Sequence, residues 1–179
     1  MNGLLSLSRG IDKLNDKFAE LAIWAVLLSC LISALNAVVR YAFNYSSNGF
    51  TEIQWYFFAG TVMLGAAQVL RVNEHVRVDV LYNLYGGRGQ AIVDLLGFIL
   101  FLMLSMSVLV YYSWPLFVKM YATGEMSSNA GGLIRWPVML LLPLGFSLMM
   151  LQGLSEIIKR VGWLTHTYQG DFHYERPLQ

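Results

Sequence analysis

Cysteine, histidine and charged residues are scarce in this sequence, and each shortage excludes a class of protein. The single cysteine, Cys30, cannot form an internal disulfide, a dithiol redox pair or a thiolate metal cluster. The three histidines all lie outside the long apolar runs, so they cannot hold a haem between membrane helices. Lys and Arg total 12 and Asp and Glu total 11, with no basic run, which argues against a nucleic-acid partner.

In place of charge, the 179-residue chain has 56% hydrophobic residues. Only 13% of its residues are charged, about half of the share in an ordinary soluble domain. Four uncharged apolar runs occupy residues 21–39, 55–70, 95–112 and 138–154. Such runs can cross a hydrocarbon layer about 30 Å thick, although the run 55–70 needs Ile53 and Gln54 to do so. We therefore predict an all-α integral membrane protein with transmembrane helices over 19–41, 53–71, 91–112 and 137–158.

The distribution of Lys and Arg predicts which side of the membrane each connection faces. Nine of the 12 cations fall before the first span, between the second and third spans, or after the fourth. Because cytoplasmic segments carry the excess of Lys and Arg, both termini, including the tail 159–179, are predicted to be cytoplasmic. The five tryptophans fall at predicted ends of spans, where an amphipathic ring is most favourable.

Residues 3–18 have the pattern of an amphipathic helix. Apolar residues recur there every three or four positions, and charged residues fill the opposite face. The apolar positions are Leu4, Leu7, Ile11, Leu14 and Phe18. The segment is too acidic for a signal peptide. We predict an amphipathic helix that lies on the cytoplasmic interface of the membrane or against a partner.

Ionisable residues flank the apolar runs and do not enter them. Glu20, Asp94 and Glu156 lie at predicted cytoplasmic ends, where each is expected to pair with a nearby Lys or Arg or to contact a second membrane subunit. An ion-coupling acid at the bilayer centre is not found. We therefore expect no enzyme activity, no catalytic residue, no cofactor and no metal site in this chain.

Small residues inside the spans indicate where helices approach each other closely. Ser33 lies in the first predicted span, and Gly60 and Gly65 lie in the second. Association in lipid depends on van der Waals packing, so such positions are predicted to be helix-packing sites.

The segment 74–81, which reads Glu-His-Val-Arg-Val-Asp-Val-Leu, is the most specific motif in the chain. Together with Gly65-Ala66 before it, this segment resembles the signature of the small permease subunit of tripartite ATP-independent periplasmic (TRAP) transporters. Arg40-Tyr41 at the end of the first span and the residues 142–146 of the fourth are similar to further patterns of that family. The resemblance covers residues from about 16 to about 158.

The resemblance implies a non-catalytic subunit of the bacterial inner membrane, surrounded by phospholipid. In that family the small subunit scaffolds a large permease subunit, which carries the substrate and sodium sites. A soluble periplasmic binding protein delivers an acidic organic solute, such as a dicarboxylate, a 2-oxo acid or a sialic acid.

The residues of the motif can also be interpreted by their spacing. Glu74 with Arg77, and His75 with Asp79, lie three and four residues apart, so each pair can share one face of a helix. Ion pairs of this kind on a solvated turn stabilise a protein by well under 1 kcal/mol each. With the resemblance, we expect these four residues to form a structural clasp or a partner contact.

Two functions remain open at this stage. The favoured one is the scaffold subunit of a sodium-coupled importer, with Arg40 and Glu52 on the outer rim as candidate docking residues for the binding protein. The alternative is a self-sufficient homodimeric exporter of the multidrug type that uses Glu20 as its coupling acid.

Overall fold

A computed structural model describes residues 2–45, 47–73, 82 and 85–168. Its long helices are α1 (Asn2–Phe43), α2 (Asn48–Arg71), α3 (Gly87–Thr123) and α4 (Trp136–Leu164). All four are long and apolar enough to cross a membrane. The prediction of an all-α protein with four spans is therefore confirmed. The family motif at Glu74, His75, Arg77 and Asp79 lies outside the described residues.

Helix α1 is much longer than a membrane span. Its 42 residues, at about 1.5 Å each, extend for about 63 Å. The amphipathic segment 3–18 and the first span are thus one uninterrupted helix, because no Gly or Pro separates them. The first part of α1, which is predicted to be cytoplasmic, runs antiparallel to the end of α4, with Leu5 near Gly162 and Asn15 bonded to Gln152. The segment is therefore part of the bundle and not a separate interfacial helix.

The bundle is open on one side. Helices α1, α2 and α4 pack around a small core of Ala22, Leu64, Ala67 and Leu148. Among the described residues, α3 packs substantially on α4 alone. Helix α4 is consequently the central element, and α3 lies at the edge.

Two glycines of α4 allow close contact with its neighbours. A Cβ atom at Gly145 would lie 2.7 Å from the backbone oxygen of Met63 in α2. A Cβ atom at Gly153 would collide with the side chain of Leu102 in α3. Since helices in lipid associate through van der Waals contact, these glycines set the spacing of the bundle.

Helix α3 contains a π-helical segment, Phe98–Met103. A row of buried and half-buried positions spaced by four residues runs through this segment: Phe98, Leu102, Met106 and Val110. In a regular α-helix, which has 3.6 residues per turn, residues spaced by four move gradually around the helix axis. The wider π turn absorbs one extra residue, so Asp94 and Ser113 both face α4 although 19 positions separate them.

Candidate functional site

A cluster of buried charges, which we call the inner charge cluster, joins three helices at the predicted cytoplasmic end. Its members are Asp12, Asp94, Glu156, Lys159 and Arg160. The Lys159 Nζ atom lies 2.8 Å from Asp12 Oδ2 and 2.8 Å from Glu156 Oε1. Because the Lys159 side chain is only 11% exposed, water screens these two contacts weakly. Lys159 therefore fastens α1 to α4.

Arg160 performs the same role for α3. Its Nη1 atom donates to Glu156 Oε2 at 2.6 Å, and its Nη2 atom donates to Asp94 Oδ2 at 3.0 Å. Its guanidinium group also lies over the ring of Phe98, 4.5 Å from the ring centroid. A planar, delocalised cation suits this combination of carboxylates and an aromatic face.

Neutral side chains complete the hydrogen bonding of Asp12. Gln152 Nε2 and Ser155 Oγ donate to Asp12 Oδ1 at 3.0 and 2.8 Å. Gln152 Oε1 in turn accepts a hydrogen bond of 2.7 Å from Asn15 Nδ2. Buried charges are tolerated when they are paired and hydrogen-bonded in this way.

The end of the apolar run in α4 predicts that the inner charge cluster lies at the depth of the lipid head groups. Lys159 follows the last residue of the apolar run, Leu154, by five positions, or about 7 Å of helix. The head-group layer on each side of the hydrocarbon core is about 5–7 Å thick. Among the described residues no group of three His, Cys, Asp or Glu could hold a metal ion. The arrangement can fix these ends of three helices relative to one another.

The sequence identified only part of this cluster. Asp94 and Glu156 were singled out, and both lie in it. Glu20, the third flanking acid, is exposed on α1 and forms no ion pair within the described part of the chain. Asp12 was missed because it was assigned to the solvated face of an interfacial helix. The available signal was Gln152, a polar residue that interrupts an apolar run.

A second polar site lies at the predicted outer end, where a loop folds back on α2. Residues 125–135 form a small hairpin, which we call the outer hairpin. Its backbone is closed by hydrogen bonds from Ser127 N to Leu133 O and from Arg135 N to Glu125 O, both 2.9 Å. The Arg135 side chain also pairs with the Glu125 carboxylate at 2.8 Å.

Glu52 of α2 holds the outer hairpin in place. Its carboxylate accepts hydrogen bonds from Ser127 Oγ, from Asn129 Nδ2 at 2.7 Å and from Leu133 N at 2.6 Å. Tyr56, one turn further along α2, donates to the Ile134 carbonyl at 3.0 Å. The first turns of α2 therefore support the outer hairpin through the face that carries Glu52 and Tyr56.

The position of Glu52 differs from the expectation of an accessible rim charge. Glu52 is only 3% exposed, so its accessibility was predicted wrongly. Its partners come from a loop more than 70 residues away, which local sequence does not reveal. Arg40, its predicted companion, is exposed near the end of α1, and its docking role stays a prediction.

The predicted packing residues occupy different environments. Gly60 is buried, and a Cβ atom there would meet Leu141 of α4 at 3.8 Å. A Cβ atom at Gly65 would meet Ala22 of α1 at 3.7 Å. Ser33 is exposed on α1.

These features define a class of protein: a helical membrane protein whose polar clusters fasten the ends of its helices. Comparison with known families gives a more specific assignment. The family described as "Tripartite ATP-independent periplasmic transporters, DctQ component" matches residues 29–162. Because the match covers most of the chain, the protein belongs to this family, the small membrane component of TRAP transporters.

A relative in Haemophilus influenzae agrees with this assignment. The chain is 36% identical over 80 residues to a protein whose name places it provisionally among the TRAP transporter small permease proteins. The match covers 45% of this chain and 50% of the relative, so the chain spans about half the length of the curated relative. No solved structure gives a significant match.

Proposed function

We propose that this chain is the non-catalytic small subunit of a sodium-coupled, binding-protein-dependent importer of acidic organic solutes. In this role it scaffolds a large permease subunit that carries the substrate and sodium sites. The observation that supports the proposal is the edge position of α3, which packs substantially on α4 alone among the described residues. A helix with three uncovered sides provides a surface for a second membrane protein.

The uncovered side of α3 is rich in large and polar side chains. Phe101, Tyr111 and Tyr112 are all more than 70% exposed. Ser105 is also exposed within the same span. Hydroxyl groups at membrane depth favour contact with another helix, where hydrogen-bond partners exist, over contact with lipid tails. We therefore assign the contact with the large subunit to this side of α3.

Co-expression with the large permease subunit tests the scaffold role. We expect a stoichiometric pair that survives purification in detergent, and no uptake by liposomes that contain this chain alone. Uptake by the single chain would contradict the proposal and would favour the exporter, in which Glu20 is the coupling acid.

Two matched substitutions test the position of the contact. Ser105→Trp places a bulky ring on the exposed side of α3 and should lower recovery of the pair. Cys30→Trp adds the same ring to an exposed position within the span of α1 and should leave recovery unchanged. Equal recovery of both variants would mean that α3 does not contact the large subunit.

The docking of the binding protein is assigned to the outer rim around Arg40. Charge reversal at a rim position mainly changes the rate of encounter and its salt dependence. Arg40→Glu should therefore slow uptake without affecting assembly, and excess binding protein should restore the rate. A defect that excess binding protein does not relieve would exclude Arg40 as a docking residue.

A further inference from the structure

The fold sorts the charges at the start of α1 into two groups. In sequence this segment is balanced, with Arg9, Lys13 and Lys17 against Asp12, Asp16 and Glu20. The structure pairs two of the acids with cations of other helices: Asp12 with Lys159 at 2.8 Å, and Asp16, whose side chain stays 40% exposed, with Arg71 at 2.6 Å. The three cations remain exposed and form no ion pair within the described part of the chain. A segment with no net charge thus presents a basic surface.

The three cations form one row. Arg9, Lys13 and Lys17 are spaced by four residues, so they lie on one side of the helix. The remaining acid, Glu20, is exposed at the membrane end of this row and leaves a net charge of +2. No heavy atom lies within 4 Å of a Cβ atom built at Gly10, which is adjacent to Lys13 on the helix surface. The row is therefore open to a ligand from outside the chain.

An exposed ridge of leucines runs along α1 and passes beside Lys17, which lies three residues after Leu14 and four before Leu21. Leucines recur every seventh residue along α1, and all of them are between 40 and 61% exposed. They are Leu7, Leu14, Leu21, Leu28 and Leu35. Because the ridge continues without interruption into the membrane-spanning part of α1, the apolar surface beside Lys17 is continuous with a surface inside the bilayer.

The cations also lie at the appropriate depth. Asp12, the neighbour of Lys13 on α1, pairs with Lys159 in the inner charge cluster. Lys13 and Lys17 lie about 1.5 and 7.5 Å of helix from Asp12 towards the membrane span, and Arg9 lies about 4.5 Å on the other side. The head-group layer is about 5–7 Å thick, and the field of a charged surface extends about 8 Å further at physiological salt. The row therefore spans the head groups and the adjacent water.

We propose that Arg9, Lys13 and Lys17 form a binding site for anionic phospholipids of the cytoplasmic leaflet. The cations contact the phosphate groups, and the leucine ridge contacts the acyl chains. Charge complementarity favours anionic over zwitterionic lipids, because a cation close to an anionic surface raises the affinity about fivefold. The continuity of the leucine ridge into the bilayer favours lipid over an acidic patch on a partner subunit.

Fluorescence quenching of Trp24 can test the proposal. Trp24 follows Lys17 by seven residues, so it lies on the same side of α1, and it is 61% exposed. The full chain would be placed in vesicles that contain either brominated phosphatidylglycerol or brominated phosphatidylcholine at equal mole fraction. We expect stronger quenching by phosphatidylglycerol in the wild type. The preference should fall about fivefold for each cation removed in Lys13→Gln and Lys17→Gln.

Two controls make the result specific. Trp24→Phe should abolish the difference between the two lipids, which shows that the signal comes from this site. Arg40→Gln removes an exposed cation from the opposite end of the same helix and should leave the preference unchanged. Equal quenching by both lipids in the wild type would overturn the proposal. It would also be overturned if the Lys13→Gln/Lys17→Gln variant kept the lipid preference but no longer copurified with the large subunit, since the row would then bind a protein.

Discussion

Replacing Lys159 with Met tests the energetic role of the inner charge cluster. Lys159 is the cation that Asp12 and Glu156 share, each at 2.8 Å. Met fills a similar volume but leaves two carboxylates without this counter-ion. Removing one partner of a buried ion pair costs about 3–5 kcal/mol, and we expect about 3 kcal/mol because Lys159 keeps some contact with water. For a chain of this size, that loss lowers the midpoint of thermal unfolding by roughly 6–12 °C.

The assay is the fraction of monodisperse protein that remains in detergent after heating, measured by size-exclusion chromatography. Lys13→Met is the matched control, because Lys13 is an exposed cation one position after Asp12. It should shift the midpoint by no more than about 2 °C, as expected for a surface substitution. A second substitution, Asp12→Asn, should recover part of the loss in Lys159→Met, because Asp12 has no other cation partner within the described part of the chain, whereas Glu156 keeps Arg160. Equal midpoints for Lys159→Met and Lys13→Met would refute the reasoning.

Three further predictions follow from the fold. Gly145→Ala should destabilise the bundle by about 1–3 kcal/mol, because the new methyl group would press on the backbone of α2. Gly97→Ala, which meets nothing within 4 Å, should be neutral or stabilising in the same heating assay. If both termini are cytoplasmic, a reporter fused after Gln179 should be active only in the cytoplasm and one placed near Asn129 only in the periplasm. The reverse pattern would contradict the predicted topology. Glu52→Gln should speed hydrogen exchange in the outer hairpin, because an amide cannot accept all three hydrogen bonds that the carboxylate accepts. Unchanged exchange would show that Glu52 does not hold the outer hairpin in place.

The four spans were predictable from sequence because lipid imposes a simple requirement. A segment that crosses the hydrocarbon must satisfy its backbone internally and must be apolar over about 20 residues, and both conditions can be seen in a single sequence. The ends of the helices were less accessible. Helix α3 continues to Thr123, with Pro115 inside it, beyond the predicted span that ends at residue 112. Hydropathy indicates which part of a helix can lie in lipid, not where its backbone ends.

The candidate sites depended on contacts between distant parts of the chain. The partners of Glu52 belong to a loop that periodicity and hydropathy do not connect with α2. The sequence does not show whether Asp12 faces solvent or another helix, because this depends on how the start of α1 packs against the end of α4. The position of an acidic residue next to a span is a local property, whereas its counter-ion is set by the packing of helices.

At its π-helical segment, α3 can lose one residue without a change in the side that it turns towards α4. Since the segment accommodates one residue more than α-helical geometry requires, deleting a residue between Phe98 and Met103 can convert it to regular α-helix. Asp94 and Ser113 would then remain on the α4 side, because they would be 18 positions apart, which corresponds to five full α-helical turns. The same deletion after residue 104 would rotate the outer half of α3 by about 100°. Members of the family that differ by one residue in this helix should therefore place the insertion or deletion within this segment.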